Sequence, residues 1–159
     1  LVKCKSILIR LNEKKIDDYY SLEHGKYPSK SLRIRKLNKE YQVNFKEKLS
    51  YVKGVHAKNE VEFRVSDIDG FLNLIKNFGF RKWLTKEKIT ELYEINKNFH
   101  IELNNVKNLG WFIEVEYLCE KKDVKRARDA VIETIEKLGS KRKDIIKAGY
   151  TKMLWQKNN

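Results

Sequence analysis

Three consecutive β-strands are predicted by residues 32–65, LRIRKLNKEYQVNFKEKLSYVKGVHAKNEVEFRV, in which charged and apolar side chains alternate. Side chains at positions i and i+2 of a strand project from the same face of a sheet. The alternation therefore places the charges of each run on one face and its apolar side chains on the other. The strands span residues 32–37, 41–49 and 59–65, and their short connections make them antiparallel neighbours.

Further strands are predicted on both sides of this region, at residues 7–11, 15–20, 80–84, 86–95, 99–103 and 111–118. Apolar side chains at helical spacing predict helices over residues 66–79 and 123–138, followed by a short terminal helix. Ser66 is the expected N-cap of the first helix, and Gly79 and Gly139 stand at the two C-terminal ends. Many short antiparallel strands with a few helices indicate an α+β fold whose sheet is curled or closed into a barrel.

The chain is strongly basic, with 35 Lys and Arg against 22 Asp and Glu and a formal net charge of +13 over 159 residues. The basic residues are spread along the chain, which favours a basic face or cavity with an anionic partner, although a solvated lysine-rich surface is the alternative. Cys4 and Cys119 have no metal-ligand spacing, so a reducing cytoplasm is expected. The sequence shows no signal peptide and no apolar run of membrane-spanning length.

Like charges recur at i and i+2 on several strands. The basic residues of this pattern are Arg33, Arg35, Lys46, Lys48, Lys86 and Lys88, and Arg64 shares a strand face with an acidic pair. The acidic residues are Glu60, Glu62, Glu114 and Glu116. For any one strand, exposure to solvent explains the pattern. If the barrel closes with its helices outside, the charged faces line a common cavity, where the basic groups suit a polyphosphate and the carboxylates suit Mg²⁺ or Mn²⁺. Such a cavity contains the parts needed for phosphoryl or nucleotidyl transfer. The sequence has no P-loop, no Rossmann fingerprint and no zinc spacing.

Six segments resemble, in order along the chain, the motifs of one family. They are DDYY (17–20), LRIR (32–35), NFKEK (44–48), EVEFR (60–64), LGWFIEVE (109–116) and YTKML (150–154). The family is that of the CYTH domain, or triphosphate tunnel metalloenzymes, which includes class IV adenylyl cyclases, thiamine triphosphatases and inorganic triphosphatases.

The resemblance implies an eight-stranded antiparallel barrel with helices packed outside, whose tunnel binds a triphosphate together with Mg²⁺ or Mn²⁺. The residues that it implies for triphosphate binding are Arg33, Arg35, Lys46, Lys48, Arg64, Lys86 and Lys88. Those that it implies for the metal are Glu60, Glu62, Glu114 and Glu116, with Asn104 at a position where many members carry Asp. No residue is assigned to catalysis.

Family members open with a strand bearing Glu-x-Glu-x-Lys, followed by a helix. The resemblance implies that residues 1–5 are the end of that helix, that the opening strand is absent from this chain, and that residues 1–159 are a single, N-terminally incomplete domain. The expected function is metal-dependent hydrolysis of an inorganic, nucleoside or thiamine triphosphate. The alternatives are a class IV-type adenylyl cyclase and a non-catalytic module that binds polyphosphate or RNA. The protein is expected in the cytoplasm, as a monomer or homodimer without a membrane partner.

Overall fold

The computed structural model describes residues 6–37, 39–52 and 55–159, apart from the side chains of residues 46–49. Within these residues the fold is α+β, as predicted. The strands are β1 (Ile7–Ser21), β2 (Leu32–Lys36), β3 (Tyr41–Val52), β4 (Val55–Val65), β5 (Arg81–Asn96), β6 (Phe99–Val106) and β7 (Gly110–Tyr117). The helices are α1 (Ile68–Asn77), α2 (Val124–Lys137) and α3 (Tyr150–Asn158), and single 3₁₀ turns lie at Lys121–Asp123 and Arg142–Asp144. The predicted helical end at residues 1–5 lies outside the described residues.

The seven strands form one antiparallel sheet in the order β4-β3-β2-β1-β5-β6-β7. Helix α2 contacts both edge strands, β4 and β7. A flat seven-stranded sheet would hold its edge strands about 29 Å apart, whereas a helix of 14 residues is about 21 Å long. The sheet is therefore curled so that its two edges approach the same helix, which confirms the curled antiparallel sheet expected from the sequence.

Two strands, β1 and β5, were each predicted as a pair of shorter strands. Residues 7–11 and 15–20 belong to the single strand β1, and residues 80–84 and 86–95 belong to β5, so the division of each into two strands was wrong. The register of β1 against β5 shifts between Leu8 and Arg10 and again between Arg10 and Glu13, and Asn12 has a φ of 54°. Bulges of this kind interrupt the alternation of side chains without ending the strand.

The apolar face of β2, β3 and β4 is covered by α1. Ile34, Val43 and Ile75 form the buried centre of this contact. The partly buried side chains packed around them are Tyr20, Leu32, Tyr41, Val65, Ile68, Phe71, Leu72 and Phe80. Burial of these side chains on one side of the strands leaves the alternate, charged residues on the other side.

Helix α1 is capped by Asp67, one residue later than the predicted Ser66. The Asp67 carboxylate accepts a hydrogen bond of 2.9 Å from the backbone N–H of Gly70. A Cβ at position 70 would lie 2.3 Å from an oxygen of that carboxylate, so a larger residue there would require the Asp67 side chain to shift. The helix ends before Gly79, whose φ of +92° is the left-handed conformation predicted for a glycine at this end.

Helix α2 packs against the edge strands β4 and β7 and buries Ala127, Val131 and Ile132. Among the described helices, none combines the length and the apolar character needed to cross a membrane.

Candidate functional site

The strand register brings charged or polar side chains from all seven strands to one face of the sheet. Asp17 of β1 lies opposite both Arg35 of β2 and Lys86 of β5, and Glu102 of β6 lies opposite Glu114 of β7. We call this surface the charged face. By register it carries Lys15, Asp17, Arg33, Arg35, Asn44, Glu60, Glu62, Arg64, Lys86, Lys88, Thr90, Glu102, Asn104, Glu114 and Glu116.

Side chains separated by an intervening strand meet on this face. Lys15 reaches Glu102 across β5, with 2.8 Å between Nζ and Oε1. Arg33 lies 3.8 Å from Glu62 across β3. Side chains converge in this way on the inside of a curled sheet, so the charged face is the concave one. It is the arrangement expected if the charged strands line a common cavity.

Asp17 is the centre of the first ionic cluster on the charged face. It is fully buried, and its two oxygens accept the Nε–H and an Nη2–H of Arg35, at 2.5 and 2.9 Å. The Lys86 ammonium lies 2.9 Å from the same carboxylate. Burial alone would raise the pKa of Asp17, but the hydrogen bonds from Arg35 and the charge of Lys86 lower it well below its usual range. Asp17 is therefore ionised and forms ion pairs with both Arg35 and Lys86.

Glu102 is the centre of the second cluster. It accepts hydrogen bonds from Lys15 at 2.8 Å and from Lys88 at 2.6 Å, and both lysines are buried. Burial raises the pKa of Glu102, but the charges of Lys88 and Lys15 outweigh it and lower the pKa to about 2. Lys88 also lies 3.9 Å from Glu114. This cluster links β1, β5, β6 and β7 on the concave side.

Two buried asparagines each hold a pair of carboxylates. The Asn44 amide donates to Glu60 at 3.2 Å and to Glu62 at 3.1 Å. The Asn104 amide donates to Glu102 and to Glu114, both at 3.2 Å. The hydroxyl of Thr90 donates to the Asn104 oxygen at 2.7 Å, which fixes the amide group so that its nitrogen faces the carboxylates.

Tyr150, the first residue of α3, lies against the charged face. Its ring centroid is 5.6 Å from the Lys86 ammonium and 6.0 Å from that of Lys88, and the ring makes an edge contact with Phe112. Burial and the charge of Glu114 raise the pKa of its hydroxyl, which therefore stays protonated. The Tyr27 hydroxyl, 2.9 Å from that of Thr151, ties the loop after β1 to the same helix. Helix α3 thus covers part of the concave surface.

The structure brings four of the seven predicted triphosphate-binding residues together. Arg33, Arg35, Lys86 and Lys88 lie within or beside the two clusters. Arg64 is on the same face, but its side chain is 68% exposed and pairs with Glu40 at 3.1 Å. The side chains of Lys46 and Lys48 lie outside the described residues, although the backbone of Lys46 is registered opposite Glu60.

The predicted metal ligands form two separate groups. Glu60 and Glu62 meet at Asn44, whereas Glu114 meets Glu102 at Asn104. Glu116 is exposed on the charged face, opposite His100. In the part of the chain that the structure describes, no three His, Cys, Asp or Glu side chains are close enough together to hold a metal without further ligands.

Several central residues of the site were not among the predicted site residues: Lys15, Asp17, Asn44, Glu102 and Tyr150. The prediction rested on like charges at i and i+2, whereas Lys15 and Asp17 have opposite charges and follow the bulges of β1. A signal for Asp17 was present in the DDYY motif, of which it is the first residue. The position of Tyr150 depends on where α3 packs against the sheet, and the spacing of residues along the sequence does not predict that packing.

Comparison with solved structures gives several matches over most of the chain. The PH1819 protein of Pyrococcus horikoshii OT3 has a TM-score of 0.79 and 25% identity over 98% of this chain and 92% of its own. The PH1012 protein of the same organism has a TM-score of 0.76 and 25% identity, over 93% and 85% of the two chains. A Vibrio parahaemolyticus protein provisionally assigned as an adenylate cyclase has a TM-score of 0.77, and the match covers 94% of this chain and 84% of that protein. Its sequence identity is 17%, so this match shows the shared fold alone.

No curated protein matches the chain. The family model of the CYTH domain matches residues 11–150, which include the charged strands β2 to β7 and the first residue of α3. The chain belongs to the CYTH domain family.

Proposed function

We propose that the charged face binds a triphosphate together with a divalent metal ion and that the protein hydrolyses it. One observation carries the proposal. Five basic side chains on this face are at most 15% exposed: Lys15, Arg33, Arg35, Lys86 and Lys88. Among the described side chains of the face, only Asp17 and Glu102 are carboxylates with 20% exposure or less. The enclosed region therefore has a surplus of three positive charges, which a polyanion would offset.

The basic side chains retain hydrogen-bond donors for phosphate. An arginine has five N–H donors and a lysine ammonium has three. Arg35 uses two of its donors on Asp17. The remaining N–H groups of Arg35, with those of Lys86 and Lys88, suit the oxygens of neighbouring phosphates. The CYTH family includes triphosphatases and adenylyl cyclases and binds triphosphate substrates, which agrees with this chemistry.

The carboxylate pairs fit a hard divalent cation. The family generally uses divalent metals. Mg²⁺ is usually bound by one or two carboxylates, with water and substrate phosphate oxygens as its other ligands. Glu102 and Glu114 converge on the Asn104 amide and supply such a pair, and Glu60 and Glu62 supply another at Asn44. A metal held there would neutralise phosphate charge and polarise the phosphoryl group. The buried cations of the charged face would orient the phosphates and stabilise the charge that develops on their oxygens.

The reaction products distinguish hydrolysis from the other functions considered. Cyclisation of ATP is the main alternative, because the CYTH family includes adenylyl cyclases as well as triphosphatases. The protein is incubated with tripolyphosphate, ATP or thiamine triphosphate and Mg²⁺ or Mn²⁺. We expect release of orthophosphate. Release of pyrophosphate with cyclic AMP would identify a cyclase instead. Binding without turnover would indicate a non-catalytic module that binds polyphosphate.

Replacing Lys88 by methionine is expected to reduce the rate of orthophosphate release by about a hundredfold, the usual cost of losing one group that stabilises transition-state charge. Lys107→Met is the matched control, because Lys107 is exposed and its ammonium pairs with Glu87 at 2.7 Å, away from the charged face. Equal rates for the two variants would place the reaction elsewhere on the protein.

A further inference from the structure

Asp17 has a property that phosphate binding alone does not explain. It is a fully buried carboxylate in contact with two cations of the proposed triphosphate site, Arg35 and Lys86. An ionised carboxylate repels phosphate, so its position at the centre of the basic cluster opposes the binding of a polyanion.

We propose that Asp17 is an internal counter-ion that neutralises Arg35 and Lys86 in the ligand-free protein and thereby weakens the binding of polyphosphate. The inference rests on the proposed function. Without Asp17, two enclosed cations would lack the carboxylate that they contact in this structure. With it, the basic cluster folds in the absence of ligand, and a bound polyphosphate has less positive charge to neutralise.

Loss of Asp17 has two opposing effects on binding. The Arg35 guanidinium loses the carboxylate that orients it, and this loss weakens polyphosphate binding. The site also loses one negative charge, and this loss strengthens polyphosphate binding. Lys86 keeps part of its orientation, because its ammonium lies 5.6 Å from the ring centroids of both Tyr19 and Tyr150. Unit charges a few ångströms apart in a protein site of effective dielectric near 20 change affinity by about tenfold or more. We therefore expect the charge effect to exceed the orientation effect.

The experiment compares Asp17→Asn with Asp18→Asn. Both variants lose one negative charge, but Asp18 projects from the opposite face, where its carboxylate accepts a hydrogen bond of 2.6 Å from Thr85. Binding of tripolyphosphate without metal is measured by titration calorimetry. We expect Asp17→Asn to bind about tenfold more tightly than the wild type, and Asp18→Asn to bind like the wild type. Equal or weaker binding by Asp17→Asn, or equal gains in both variants, would overturn the proposal.

The same titrations separate this inference from the proposed function. If the wild type does not bind tripolyphosphate but Asp17→Asn does, the proposed function fails and the counter-ion role stands. If neither binds, both fail. If Asp17→Asn does not fold alone, its folding is followed by circular dichroism in millimolar tripolyphosphate. Recovery of the folded state by the polyanion supports the counter-ion role, and failure to recover it overturns that role.

Discussion

Arg35→Met should lower the free energy of unfolding by about 3–5 kcal/mol, because removing one partner of a buried ion pair leaves the other charge uncompensated. Arg35 donates two hydrogen bonds to Asp17, which is fully buried. Methionine retains much of the length of the side chain but offers no donor. Lys86 remains beside Asp17, so some of the charge stays compensated. The change is measured as a shift in the urea midpoint at neutral pH.

Arg64→Met is the matched control for this prediction. Arg64 lies on the same face of the sheet, but its side chain is exposed and pairs with Glu40, which is also exposed. Surface ion pairs contribute about 0–1 kcal/mol, so this variant should unfold close to the wild type. Similar losses in the two variants would mean that the Asp17 cluster contributes no more to stability than a surface pair.

Glu102→Gln should destabilise the protein by about 3 kcal/mol at neutral pH, because the pKa of Glu102 in the folded protein is about 2 instead of 4.5. A carboxyl group whose pKa is lower in the folded state stabilises that state above its unfolded pKa. The contribution is lost as the pH falls from about 4.5 towards 2. The difference between wild type and variant should therefore be constant above pH 5 and narrow below pH 4.5. It is measured by urea unfolding at a series of pH values.

Glu120→Gln serves as the control, since Glu120 is exposed and pairs with exposed Lys122 at 2.8 Å. Its unfolding free energy should follow that of the wild type throughout the pH range. A Glu102→Gln variant that behaved in the same way would contradict the buried link between Glu102, Lys15 and Lys88.

The alternation of residues 32–65 was sufficient to predict β2, β3 and β4 and to separate their two faces. Ile34 and Val43 are buried under α1, whereas Arg33 and Arg35 lie on the charged face, because a period of two fixes the faces wherever a strand is regular. The bulges of β1 break that period. The interpretation of β1 as two separate strands followed from this irregularity.

The partners of the charged residues could not be read from spacing within a strand. Asp17 and Lys86 are far apart in sequence and meet only because β1 pairs with β5 in one particular register. Glu102 contacts Lys15 across an intervening strand, and this contact requires a curled sheet. Sequence reasoning therefore predicted many of the basic side chains that lie on the charged face. It did not identify the two carboxylates that organise them.

The central claim is that the enclosed cations of the charged face bind a triphosphate. The most direct test is to measure the thermal unfolding of the wild type and of Lys88→Met at increasing concentrations of tripolyphosphate. A ligand that binds only the folded state adds about 2.7 kcal/mol of stability at a hundredfold excess over its dissociation constant. We predict a midpoint that rises steadily with tripolyphosphate in the wild type, and a much smaller rise in Lys88→Met. No rise in the wild type, or equal rises in the two proteins, would contradict the account.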